Sequence, residues 1–245
     1  MNPVAVSEPE IVVPEQSAPE PPVSASGPVS EPPVPAPAPR KRRLWLWVTL
    51  IAAVVVGAVT YFMWPSDANG HEYVDLGLPS GLKWATCNVG ASSPEEYGDY
   101  YAWGEVNTKK EYTEDNSFMY GTPIDKISGN PRYDVARAKW GGSWRMPTKA
   151  DFLELIAKCT WEWTTQGGHK GYKVTGPNGN SIFLPAAGHR DGTETDDAES
   201  YGRYWCVTLD EYDSRVAYNL NFYSDSSWMT YGYIYRGYSV RPVSD

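Results

Sequence analysis

The sequence predicts an α+β fold for residues 72–245, built of short strands with two short helices and long loops and set behind a single membrane-spanning helix. Three observations predict it. Residues Leu44 to Trp64 form a run of twenty-one residues without a charge. From about Gly70 onward, short apolar or aromatic runs are separated by clusters of Gly, Pro, Asn and Asp, the texture of a β-rich domain with long loops. Within that stretch, two segments carry helix caps and one of them has clear helical periodicity.

The N-terminal tail, residues 1–39, has prolines every few positions, scattered Glu and no basic residue before Arg40. Such a segment buries too little apolar surface to offset the entropy of ordering it. Disorder with polyproline II character is therefore expected. Arg40, Lys41, Arg42 and Arg43 form a basic stop at 40–43, directly before the apolar run. At 1.5 Å per residue, a helix over 44–64 spans about 31 Å, the thickness of a bilayer core. Trp45 and Trp47 at one end, and Tyr61 and Trp64 at the other, sit where amphipathic rings prefer the headgroup boundary. No Lys or Arg follows the span until Lys83, so the positive-inside rule puts the N-terminus in the cytoplasm and the C-terminal domain in the periplasm or outside the cell. A bacterial inner membrane is the expected location. The length of the charged tail and the lack of a small-x-small site argue against a cleaved signal peptide. Residues 65–71 read as a linker.

The formal net charge of −9 argues against nucleic acid. A phosphate-binding surface needs clustered Lys and Arg, and the one such cluster abuts the membrane span.

In the C-terminal domain the clearer helix starts at Thr148, an N-cap with Asp151 three residues on, and places Phe152, Leu155, Ile156 and Cys159 on one face toward the core. The second helix follows Asp134 and closes near Trp140 and Gly141. Candidate strands are Leu82 to Cys87, Tyr100 to Trp103, Tyr172 to Thr175, Ser181 to Leu184, Arg203 to Thr208, Arg215 to Phe222 and Tyr238 to Val243. Val216, Tyr218, Leu220 and Phe222 alternate with Arg215, Ala217, Asn219 and Asn221, which predicts one buried face and one wet face. Pro177, Asn178 and Gly179 mark a hairpin turn.

Five segments taken together, YVDLGLPSGLKWATCNVGA (Tyr73 to Ala91), YYAWGE (Tyr100 to Glu105), WGGSWRMPT (Trp140 to Thr148), SIFLPAAG (Ser181 to Gly188) and SVRPV (Ser239 to Val243), resemble the Fibrobacter succinogenes major paralogous domain family, common in extracytoplasmic, membrane-anchored proteins of Bacteroidales-type gut bacteria. The resemblance spans essentially the whole domain. It implies a C-type-lectin-like fold related to formylglycine-generating enzymes: twisted antiparallel sheets, two short helices and long loops. Two departures matter for function. The EPN, QPD and WND motifs with which sugar-binding C-type lectins hold calcium do not occur here. The C-terminal cysteine pair that binds copper in formylglycine-generating enzymes is also missing, since only Cys206 follows Cys159.

Three cysteines on the oxidising side of a membrane suggest one disulfide and one thiol left over. The expected pair is Cys87 with Cys159, which the resemblance also favours. Cys206 reads as a small buried residue. His71, His169 and His189 are too scattered for a metal site, and no cofactor is implied. The acidic stretch Arg190 to Ser200 offers Asp191, Glu194, Asp196 and Asp197 to a hard cation but lacks EF-hand spacing, so a solvated loop is the expectation. The string HRD at His189 to Asp191 matches a kinase catalytic loop in letters alone, with no glycine-rich loop or DFG beside it.

The remaining signal is aromatic. Between Tyr201 and Tyr238, Tyr and Trp alternate with Asn, Ser and Asp, a mixture that gives large contact area at low entropy cost together with adaptable hydrogen bonding. Trp205, Tyr218 and Phe222 read as core. The candidate ligand-binding residues are Tyr223, Asp225, Trp228, Tyr231, Tyr233 and Tyr235, presented on C-terminal loops. The leading expectation is thus a non-catalytic, membrane-anchored module that recognises a protein or glycan ligand. The alternatives are an enzyme related to the formylglycine-generating enzymes and a structural envelope protein.

Overall fold

The computed structural model describes residues 65–245 apart from 68, 122, 123 and 125. The proline-rich tail, the basic stop and the span expected from Leu44 to Trp64 lie outside the described residues. Among those described, no helix is long and apolar enough to cross a membrane.

The described residues form an α+β domain with antiparallel sheets and two helices. In chain order the elements are β1 (Tyr73–Asp75), β2 (Lys83–Ala85), α1 (Val135–Trp140), α2 (Lys149–Lys158), β3 (Thr160–Gln166), β4 (His169–Thr175), β5 (Ser181–Pro185), β6 (His189–Asp191), β7 (Glu194–Asp196), β8 (Gly202–Leu209), β9 (Val216–Tyr223), β10 (Ser226–Tyr233) and β11 (Val243–Ser244). They assemble as sheets of order β1-β2-β11, β3-β4-β5 and β10-β9-β8, with β6 and β7 forming a two-stranded hairpin.

Both expected helices are present, and their caps explain their limits. Thr148 and Asp151 form a reciprocal capping box at α2. Asp134 accepts from the N–H groups of Ala136 and Arg137 at the start of α1, and Gly141 closes that helix with φ 70°. Asp134 also accepts from the Gly129 and Met146 N–H groups. One carboxylate therefore ties three segments together. The turn expected at Pro177 to Gly179 joins β4 to β5, and both Asn178 and Asn180 donate from their amides to the Asp75 carbonyl, docking the turn on β1.

Two aromatic-rich clusters lie on opposite faces of the β10-β9-β8 sheet. On one face, α2 contributes Phe152 and Leu155, which pack with Trp84, Tyr204, Cys206, Leu220 and Phe222. On the other, Trp205 and Ala217 pack with Tyr101, Trp103, Ile234 and Tyr238. Because β9 is the central strand between these layers, the face expected to be wet is buried: Asn219 is 1% exposed and Asn221 8%.

Several expected strands are reshaped. Tyr100 to Trp103 and most of Tyr238 to Val243 are extended chain that pairs one residue at a time, Tyr101 with Tyr238 and Ser239 with Tyr204, while Val243 opens β11 and also pairs with Arg145. Such wandering pairing satisfies backbone groups without a continuous ladder. The linker expected at 65–71 folds back so that Ser66 pairs with Glu72. In it, Asp67 accepts from the Trp144 indole at 2.7 Å and His71 stacks on Trp140 with ring centroids 4.1 Å apart.

The expected Cys87 to Cys159 disulfide is not present, and all three cysteines are free thiols. The two residues occupy different surroundings. Cys87 lines a small recess with His71, Glu72 and Trp140, whereas Cys159 caps α2 and packs against the core cluster on that side of the sheet.

Candidate ligand-binding site

The largest change to the sequence reading concerns Ser226 to Tyr233. The expected aromatic loop is strand β10, paired along its whole length with β9. Period-two alternation then divides its side chains. Trp228 stands opposite Asn221, Thr230 opposite Asn219 and Gly232 opposite Ala217 on one face, while Met229, Tyr231 and Tyr233 stand opposite Leu220, Tyr218 and Val216 on the other. On β8, Arg203 and Trp205 pair with Asn221 and Asn219 and so extend the first face.

A cleft of about 630 Å³ opens on that first face. It crosses from Arg203 through Asn221 and Asn219 to Thr230 and Gly232, and Tyr231 and Tyr233 border it at the sheet edge. Tyr238 forms part of its wall, stacked on Trp205 at 4.1 Å. That wall requires Gly232, because a Cβ there would lie 2.4 Å from the Tyr238 hydroxyl oxygen.

The electrostatics of the cleft are largely matched internally. Arg203 pairs with Asp197 at 2.9 Å and Arg236 with Asp191 at 2.7 Å. Asp213 pairs with Arg215 at 2.8 Å, and the hydrogen bonds from that side chain and its backbone N–H hold the Asp213 carboxyl down to about 2. Asp210 accepts from the N–H groups of Tyr212 and Asp213. His189 lies behind the cleft in the β6–β7 hairpin. Burial, reinforced by the Arg203 and Arg236 guanidiniums, lowers its pKa, so the neutral ring accepts a hydrogen bond from Arg203.

Against this background a few polar atoms stand out. Both amide atoms of Asn219, the Oδ1 of Asn221 and the Nε of Arg236 are buried without a hydrogen-bond partner in the protein. Buried polar groups are nearly always paired, because leaving one unpaired costs about 1–3 kcal/mol. All three residues line the cleft.

The sequence-derived residues are distributed as follows. Tyr231 and Tyr233 line the cleft and are 61% and 41% exposed. Tyr223 and Trp228 form an edge-to-face pair at 5.5 Å, with Tyr201 adding a third ring beside Tyr223 at 5.6 Å. Tyr235 stacks on Tyr233 at 5.6 Å and lies under the Arg236 guanidinium. Asp225 sits exposed in the β9–β10 turn and is not among the cleft residues. Sequence reasoning missed Arg203, Asn219, Asn221, Thr230 and Arg236. The available signal, for Asn219 and Asn221 alone, is a run of amides alternating with large apolar residues on a strand, and alternation by itself predicts an outer face there.

The acidic stretch expected as a loop is the β6–β7 hairpin and its following turn. Asp191 and Asp197 are held by arginines, and no cluster suited to a metal ion occurs among the described residues. Cys206 is fully buried, and its thiol donates to the Tyr218 carbonyl at 3.1 Å. Burial pushes its pKa up to about 11, so it carries no thiolate near neutral pH. No family model, curated protein or solved structure matches this chain.

Proposed function

We propose that this chain is a membrane-anchored, extracytoplasmic binding module with a C-type-lectin-like fold, and that it holds a protein or glycan ligand against the β9–β10 hairpin without catalysis. The observation that carries the reading is the coincidence of exposed rings and a polar cleft. Tyr231 and Tyr233 border a concavity of about 630 Å³ whose floor is made of amides and guanidiniums. Concave sites with a few convergent polar groups and amphipathic rings at the rim are where proteins hold ligands. The family resemblance and the antiparallel α+β architecture support the fold. The apolar run at 44–64 supports the anchor. With the Cys206 thiol buried against the Tyr218 carbonyl, this site offers no cysteine for chemistry.

The test replaces Trp228, Tyr231 and Tyr233 together by Ala in the full-length chain and compares capture on protein and glycan arrays. Loss of capture with an unchanged circular dichroism spectrum supports the reading. Unchanged capture with an intact fold sinks it.

A further inference from the structure

We infer that the ligand of this cleft is a neutral, hydroxyl-rich one: a pyranose unit of an uncharged glycan, held at its hydroxyls by Asn219 and Asn221. This inference rests on the binding reading above and selects between its two ligand classes.

The first argument is the chemistry of the floor. Asn219 presents an unpartnered donor, Nδ2, and an unpartnered acceptor, Oδ1, and Asn221 adds a second acceptor. A carboxylate or phosphate ligand only accepts, and an ammonium only donates, so each would leave part of this set unmatched. A sugar hydroxyl both donates and accepts. Two neighbouring hydroxyls can satisfy the Nδ2 and Oδ1 of one amide at the same time.

The second argument is charge. Most charged groups around the cleft are already matched, in the pairs Arg203 with Asp197, Arg236 with Asp191 and Arg215 with Asp213, and Asp210 accepts from the Tyr212 and Asp213 N–H groups without an ion-pair partner among the described residues. An anionic ligand would compete with Asp191 and Asp197 for these guanidiniums, whereas a neutral ligand can hydrogen-bond at their free edges, including the unpartnered Arg236 Nε.

The third argument is shape. The cleft lining mixes Asn, Arg, Asp, Thr and Gly with Val216 and four Tyr. A pyranose can pack a C–H face on a ring that lines the cleft on the amide side, such as Tyr238, while its hydroxyls point to the polar floor.

The experiment uses the full-length chain in detergent and three probe panels: neutral hexose and N-acetylhexosamine oligosaccharides, uronic-acid- and sialic-acid-containing oligosaccharides, and a library of short peptides. The variants are Asn219→Leu, which removes both unpartnered amide atoms while keeping the branched side-chain outline, and Asn221→Ala. The expected result is retention of neutral oligosaccharides, insensitive to added salt, that falls at least about tenfold in both variants. The melting temperature of Asn219→Leu should not fall, because the amide it removes has no partner in the protein. An amide with a purely structural role would instead lower the melting temperature and leave retention unchanged, which overturns the proposal. Preferential retention of the acidic saccharides or of peptides also overturns it, and if the variants abolish that retention the cleft still stands as a binding site. Retention of nothing on any panel overturns both readings.

Discussion

Arg241 donates from Nε to the Asn88 Oδ1 across 2.8 Å, in a site fully closed to solvent and without a carboxylate partner. Its other nitrogens donate to the carbonyls of Ala85, Thr86 and Phe183. A planar fork with several fixed donors can join the β2 exit, the 88 turn and β5 at one point, which an ammonium cannot do. Removing it leaves Asn88 and those carbonyls buried without donors. Arg241→Met should therefore destabilise the domain by about 3–5 kcal/mol, and Arg241→Lys should recover little of the loss, as measured by chemical denaturation.

Gly202 begins β8 directly beneath the Phe222 ring. A Cβ at this position would lie 1.9 Å from the ring's Cζ, in a layer where Phe222 is also packed by Tyr204 and Tyr172. The ring has nowhere to retreat. Gly202→Ala is expected to cost about 1–3 kcal/mol through overpacking, read as a lower melting temperature with an unchanged strand signature in circular dichroism.

The thiols give a pH-dependent prediction. Burial raises Cys206 from its ordinary 9.0 to about 11, and burial followed by the Glu154 carboxylate does the same to Cys159. A raised folded-state pKa means that the associated stability is fully present below the unfolded value and is lost as pH rises through the folded one. Stability should therefore decline between about pH 9 and pH 11. At pH 8 a thiol reagent should leave Cys206 unmodified in the native protein and label it on unfolding, as quantified by mass spectrometry.

Glu199 predicts the opposite limb. Burial works against its charge. The hydrogen bond from Tyr97, the Lys170 N–H at 2.7 Å and the His169 ring at 2.9 Å together outweigh that and lower its pKa below the ordinary 4.5. A depressed carboxyl contributes stability above the unfolded value and loses it as pH falls through the folded one. Glu199→Gln should thus melt below the wild type at neutral pH, and the gap should close as pH falls below about 4.5. A gap that stays constant with pH would show that the carboxylate charge is not what holds this turn.

Local features were legible because their causes are local. The capping box of Thr148 and Asp151, the Asp134 cap and the turn at Pro177 to Gly179 depend on hydrogen bonds and backbone angles within a few residues, and each forms where its residues predict it. Strand β10 was not legible. Its residues Ser226 to Tyr233 have the composition of a recognition loop, and they become a strand by pairing with β9. Likewise, the cysteine count permitted a disulfide, but the environments of Cys87 and Cys159 keep their thiols apart in the structure.

By itself the sequence determined the α+β class, the two capped helices and the aromatic enrichment of the last forty or so residues, since periodicity, capping and composition are properties of neighbouring residues. Tertiary structure alone decided which of those aromatics share a face and what lies between them. Asn219 and Asn221 follow the alternation of a strand with a wet side. Burial of that side under the Tyr238 segment turns them from surface amides into the unpartnered floor of a cleft. The physical reason is that burial of a strand face depends on what packs across it, and here that partner comes from sequence-distant chain.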